Sequence, residues 1–141
     1  MKLVDADVLL HAVNSASPDH AVAKRWLDDS LSGKDTVGLA WAALLAVVRL
    51  ATRPGLFARP LTTDEVLGVV RGWLTAPSAI VLHPGERHLD LLGELLFSAG
   101  TAGNLTSDAH LAALALEHHA TVVTFDADFD RFPGLTWMRP A

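Results

Sequence analysis

A chain of 141 residues, 50% hydrophobic and 19% charged, is long enough for one domain with its own core and too apolar to stay disordered. It contains no cysteine, which excludes disulfides, thiolate metal sites and cysteine nucleophiles together. A net charge of −5 speaks against a broadly basic surface, although an acidic protein can still carry a local basic rim for phosphate.

Read in chain order, "MKLVD" (1–5) predicts a short buried strand and "DVLLHAV" (7–13) a helical turn or two. "SASPDHAVAKRWLDDSLSG" (15–33) predicts a helix with Ser17 as N-cap and Pro18 in its first position, stopped by Gly33. "TVGLA" (36–40) is a candidate strand. "WAALLAVVRLATRPG" (41–55) predicts a helix apolar almost all round, buried on more than one side and ended by Arg53-Pro54-Gly55. "TTDEVLGVVRGWLTAP" (62–77) predicts a helix capped by Thr62 or Thr63 with acids in its first turn. "AIVLH" (79–83) follows as a strand, and "PGERHLDLLGELLFSAG" (84–100) as an amphipathic helix ending at Gly100. "LTSDAHLAALALEHHA" (105–120) is a further helix, with Ser107 as N-cap and Asp108 in its first turn. "TVVTF" (121–125) is the last strong strand, "DADFDRF" a turn or short helix, and "LTWMRP" a terminal strand.

Strands that are continuous apolar runs, alternating with helices, predict a parallel sheet covered on both faces, hence an α/β fold. No linker divides residues 1–141, so one domain is expected. No apolar run reaches the roughly 18 residues of a membrane helix, and the longest, at 37–51, carries Arg49. The N-terminus does not read as a signal peptide. A soluble, cytoplasmic protein is expected.

The chemistry lies in the carboxylates. "VDADVLL" near the start and "VVTFDADFDRF" near the end each follow an apolar run with Asp-Ala-Asp. In an open parallel sheet, ligands bind outside the carboxyl ends of the strands, where Asp5 and Asp126 are both expected. Asp108, opening a helix, belongs at an edge too. Acids converging without a cation repel one another, so one is forced to take a proton. Mg²⁺, or Mn²⁺, relieves the conflict and can activate water against a phosphodiester. The plainer readings are a helix-start acid for Asp108 and turn formers for Asp126 and Asp128. Asp5, which interrupts an apolar entry into the core, is the hardest to explain structurally. Asp7 is either a supporting acid or a helix cap.

The segments "VDADVLL", "RLATRPGLF" and "TSDAHLAALALEHHATVVTFDADFDRF" together resemble a PIN-domain ribonuclease of the VapC toxin type, nearly end to end. The resemblance implies a three-layer sandwich, a divalent metal and hydrolysis of RNA. It also implies a homodimer and a cognate VapB-type antitoxin. The family's metal-binding aspartates match Asp5, Asp108 and Asp126, with Asp128 as an occasional accessory acid. The glutamate that the family places in the middle helix matches Ala46, and no acid lies between Asp35 and Asp64. Either Asp7 or Asp128 then completes the set, or the metal keeps more waters and binds less tightly. A weakly catalytic or inactive PIN-like protein that binds RNA or a partner is therefore the alternative. Arg49 and Arg53 are candidates to grip phosphate, and Asn104 and Thr124 to hydrogen-bond near the metal. The seven histidines contain no HExxH pair, and the four tryptophans sit in apolar contexts; packing explains both. An Asp-x-Asp phosphatase or a receiver domain would need a downstream lysine, and none follows Lys34.

Overall fold

In the computed structural model, which describes residues 1–141, five short parallel strands form one sheet in the order β3-β2-β1-β4-β5. They are β1 (Lys2–Val4), β2 (Val37–Leu39), β3 (Ala79–Val81), β4 (Thr121–Val123) and β5 (Trp137–Met138). The helices are α1 (Ala6–Val13), α2 (His20–Leu31), α3 (Trp41–Thr52), α4 (Thr63–Leu74), α5 (His88–Ala99) and α6 (Thr106–His118). In register, Leu3 lies beside Gly38 on one side and Val122 on the other, so β1 is the central strand.

The crossovers explain the layers. From β1 the chain steps outward twice, to β2 and then β3, and then returns across the sheet to β4. Right-handed connections therefore put α1 to α4 on one face and α5 with α6 on the other. The packing agrees: α1 lies on α2 and α3, α3 on α4, and α5 on α6. The three-layer α/β expectation holds. Leu3, Val4, Val122 and Val123, buried completely, fill the middle layer, and Leu9, Leu27, Leu44, Val47, Val66 and Leu114 close on them. Because β1 and β4 are neighbours whose connections leave in opposite directions, the crevice past their carboxyl ends is the topological switch point, where open α/β sheets place their ligands.

Local chemistry sets most boundaries. Thr62 caps α4 in a reciprocal box, accepting from the Glu65 amide while the Glu65 carboxylate accepts from the Thr62 amide. Gly100 ends α5 in the left-handed region at φ 78°. Two predicted starts are corrected. Helix α2 begins at His20 rather than Pro18, because the Ser17 hydroxyl accepts from the Asp19 amide and meets His11 Nδ1, folding 17–19 into a turn. Ser107 does not cap α6 either: a 3₁₀ turn at Gly103–Leu105 runs directly into Thr106, so Ser107 already lies within the helix. Helix α3 also departs from expectation. Its Ala43, Leu44, Val47 and Ala51 are buried, but Trp41 and Leu45 are exposed. One stripe faces the core, and the other faces an open cavity.

Candidate metal centre

Asp5 sits where β1 turns into α1, as the N-cap of that helix. Its Oδ1 accepts from the Ala6 amide at 2.7 Å, and its own amide donates to the Val123 carbonyl, locking the turn to the neighbouring strand. On that strand Thr124 is completely buried directly after β4. Its hydroxyl lies 2.8 Å from Asp5 Oδ2 and 3.2 Å from Asp7 Oδ2, and accepts from the Asp126 amide at 3.0 Å. Asp7 Oδ2 also accepts from the Phe125 amide at 3.0 Å, while Asp7 Oδ1 is buried with no partner. Asp126 caps the 3₁₀ turn Ala127–Arg131 by accepting from the Asp128 amide. A single hydroxyl thus ties the ends of β1 and β4 into one acidic corner.

The expectation that Thr124 hydrogen-bonds beside the acids holds, and because it is completely buried it does so by positioning Asp5, Asp7 and Asp126 rather than by meeting substrate. Replacing it with valine, which keeps the shape, strips partners from Asp5 Oδ2 and the Asp126 amide. We expect roughly 1–3 kcal/mol lower stability, read by denaturant unfolding.

The electrostatics report the crowding. Burial pushes Asp7 up to about 7, with the Asp5 charge adding to it against the hydrogen bonds from Phe125 and Thr124. Burial also raises Asp5, opposed by its bonds from Thr124 and Ala6 and reinforced by Asp126. Asp108, in the first turn of α6, is pushed up to about 6 by burial and then by Asp5, Asp126 and Asp128. Three elements distant in sequence therefore bring their carboxylates within electrostatic reach of one another. Asp5 and Asp108 also line one cavity of about 660 Å³, whose other wall is the outer stripe of α3: Ala42, Leu45, Ala46, Val48, Arg49 and Thr52.

Carboxylates suit a hard divalent cation, and the unpartnered Asp7 Oδ1 marks a buried oxygen that hydrogen bonding leaves unsatisfied. The donor set fits such an ion in chemical kind. The side chains as they stand do not form a ready cage, since no three His, Cys, Asp or Glu groups are placed to hold a metal ion. Asp5 and Asp7 are instead held by Thr124 and by backbone amides.

Of the predicted phosphate-gripping residues, Arg49 lines the cavity. Arg53 is the exposed C-cap of α3 and Asn104 an exposed residue of the 3₁₀ turn before α6, and neither is part of that wall. Ala46 does line the cavity, so the position matching the family's glutamate faces the acids with a methyl group. The wall residues Ala42, Leu45 and Thr52 and the nearby Ser107 were not anticipated. The spacing 42, 45, 49, 52 is one face of a helix, yet an apolar face reads as core until something leaves it uncovered. The histidines behave as packing groups: buried His88 meets His110 Nδ1 at 2.9 Å. His119, expected in α6, ends it in the left-handed region at φ 54°.

A family model for the PIN domain matches residues 2–135. The chain is 54% identical to ribonuclease VapC37 of Mycobacterium tuberculosis over 140 residues, covering 99% of this chain and 97% of the relative. It is 39% identical to ribonuclease VapC33 of the same species, covering 99% and 98%. Among solved structures, VapC20 of Mycobacterium tuberculosis, described as a sarcin–ricin loop cleaving toxin, superposes with a TM-score of 0.74 at 18% identity, covering 99% of this chain and all of that one. The acidic corner at the switch point and these likenesses agree: the chain belongs to the PIN-domain family, among its VapC ribonucleases.

Proposed function

We propose that this protein is a metal-dependent endoribonuclease, the toxin of a toxin–antitoxin pair. The observation that carries the reading is the gathering of Asp5, Asp7, Asp108 and Asp126 at the β1/β4 switch point, beside a cavity with a cationic residue in its far wall. The relative 54% identical over nearly the whole chain is a ribonuclease, which favours catalysis over a role confined to binding. Mg²⁺ or Mn²⁺ would be held by Asp5, Asp108 and Asp126, with Asp7 or Asp128 completing the set, and would activate water and offset charge on a phosphoryl oxygen. Thr124 fixes the angle of Asp5. Arg49 attracts the phosphodiester from the opposite wall, and the α1 N-cap keeps Asp5 at the mouth of the cavity.

We expect purified protein to cleave RNA in Mg²⁺ or Mn²⁺ and to lose that activity in excess chelator. Cleavage that persists unchanged in chelator removes the metal from the reading.

No helix is long and apolar enough to cross a membrane, which accords with the cytoplasmic location proposed here. A VapB-type antitoxin and a second copy of the chain are the proposed partners. On α5, Leu89 is 76% and Phe97 89% exposed, two turns apart on one face, an apolar surface that a second copy would cover. Sedimentation should show a dimer at micromolar concentration; a monodisperse monomer removes that assignment.

A further inference from the structure

The far wall of the cavity has a composition that metal chemistry does not require. The acids stand on one side, at Asp5 and Asp108, while α3 presents Ala42, Leu45, Ala46 and Val48 together with Arg49. Leu45 is 59% exposed, a large apolar side chain left open at the mouth of an acidic site. Thr52 adds little polarity, because its hydroxyl donates back to the Val48 carbonyl at 2.6 Å. Arg49 is exposed and takes no part in any ion pair, the arginine and lysine pairs being Lys24–Asp28 and Arg59–Glu65. An unpaired cation therefore adjoins an apolar shelf across from a carboxylate cluster.

Size decides what that shelf is for. A divalent ion with six waters occupies roughly 200 Å³ at about 30 Å³ per water, well under the 660 Å³ of the cavity. The remaining space lies against α3, where water finds few partners. We propose that this shelf is a nucleobase subsite: one base flanking the scissile phosphate leaves its stack and lies against Ala42, Leu45, Ala46 and Val48, while Arg49 meets the adjoining phosphate. The charge pattern matches that occupant, with the cation placed for the backbone and the apolar surface for the ring. Single-stranded RNA is commonly held in this way, by faces of bases against side chains and cations along the backbone.

The chemistry of the shelf sets its selectivity. No free donor or acceptor on these four side chains can read a base edge, so the subsite requires a ring without choosing among rings. This inference rests on the proposed nuclease function.

The test uses short single-stranded RNAs carrying an abasic ribose at one position at a time, which keeps every phosphate. Affinity is measured in Ca²⁺, and cleavage separately in Mg²⁺. With wild type, one position next to the cleaved bond should lower affinity tenfold or more, about 1.4 kcal/mol, with small dependence on which base it replaces. Ala46→Leu, which fills the shelf, should reduce the preference for intact over abasic RNA to within twofold. Its metal-induced thermal shift should persist, showing that the fold and the acidic corner are intact. Equal affinity for intact and abasic RNAs at every position overturns the subsite. So does an Ala46→Leu variant that keeps the preference and loses affinity for the antitoxin, which makes the shelf a protein-docking groove. The two readings fail separately: base-dependent binding without any cleavage overturns the nuclease function alone, and cleavage without base dependence overturns the subsite alone.

Discussion

Asp5→Asn is expected to lower metal-dependent RNA cleavage by about three orders of magnitude, roughly 4 kcal/mol of barrier, while leaving the fold intact and the metal-free protein more stable. The expectation follows from what an amide keeps and what it loses. The single amide oxygen can still accept from the Ala6 amide, so the N-cap of α1 survives, while the NH2 group in place of Oδ2 donates to the Thr124 hydroxyl, whose own proton then goes to Asp7 Oδ2, keeping the tie to β4. The charge does not survive. A cation placed here loses a carboxylate ligand, and Asp7 and Asp108 lose a neighbour whose charge raises both of them. Relief of that repulsion should stabilise the metal-free fold by on the order of 1–2 kcal/mol. Loss of activity with a gain in stability is the signature of an acid kept for function. Cleavage by Asp5→Asn equal to that of wild type would remove Asp5 from catalysis. Lost activity with lost stability would make Asp5 a structural cap instead.

The same pair of opposed effects explains why the acidic corner was legible in the sequence. A carboxylate directly after an apolar strand breaks the burial pattern, and Asp5 and Asp126 do so at the ends of β1 and β4, strands that the topology makes neighbours. The parallel sheet was legible for a similar reason, since strands such as "KLV" and "TVV" alternate with helices and have no polar face. Misplaced starts of α2 and α6 arose where a local hydrogen bond competes with the cap. Ser17 uses its hydroxyl to make a turn with Asp19, and a 3₁₀ segment supplies the first turn ahead of Ser107. Thr124 could not be read as a buried strap from sequence, because its partners Asp5 and Asp7 lie 119 and 117 residues away. The cavity wall was hidden for the converse reason. Ala42, Leu45 and Ala46 look like core, and only the absence of a packing partner over that stripe of α3 turns them into the lining of a site.

A divalent ion should stabilise this protein strongly near neutral pH and hardly at all in acid, and the raised carboxylates set the window. The reference value for aspartate is 3.8, whereas folding raises Asp108 to about 6 and Asp7 to about 7. Between these values the folded chain binds more protons than the unfolded chain. For these groups the metal-free fold is therefore favoured below about pH 4 and loses stability as pH rises through 4–7. The loss is on the order of 2–4 kcal/mol once solvent screening at half-buried Asp108 is discounted. His110 works in the opposite direction: burial and the nearby His88 lower its pKa, so its contribution falls away in acid. The net pH profile of wild type alone thus mixes two signs, and the metal-induced shift separates them. Mg²⁺ held as proposed would compete with protons for the same oxygens, so its effect should vanish as Asp7 and Asp108 protonate. At a concentration a hundredfold above its dissociation constant, an ion adds about 2.7 kcal/mol. For a chain of this size that corresponds to a rise on the order of 5–10 °C in melting temperature at pH 7.5. At pH 4.5 the rise should shrink to about 1 °C or less. Asp108→Asn should lose most of the shift at pH 7.5 and remove Asp108's share of the metal-free decline, leaving the share that Asp7 contributes up to about pH 7. A shift of equal size at pH 4.5 and 7.5 would place the ion away from these carboxylates, and with it the chemistry assigned to the β1/β4 edge.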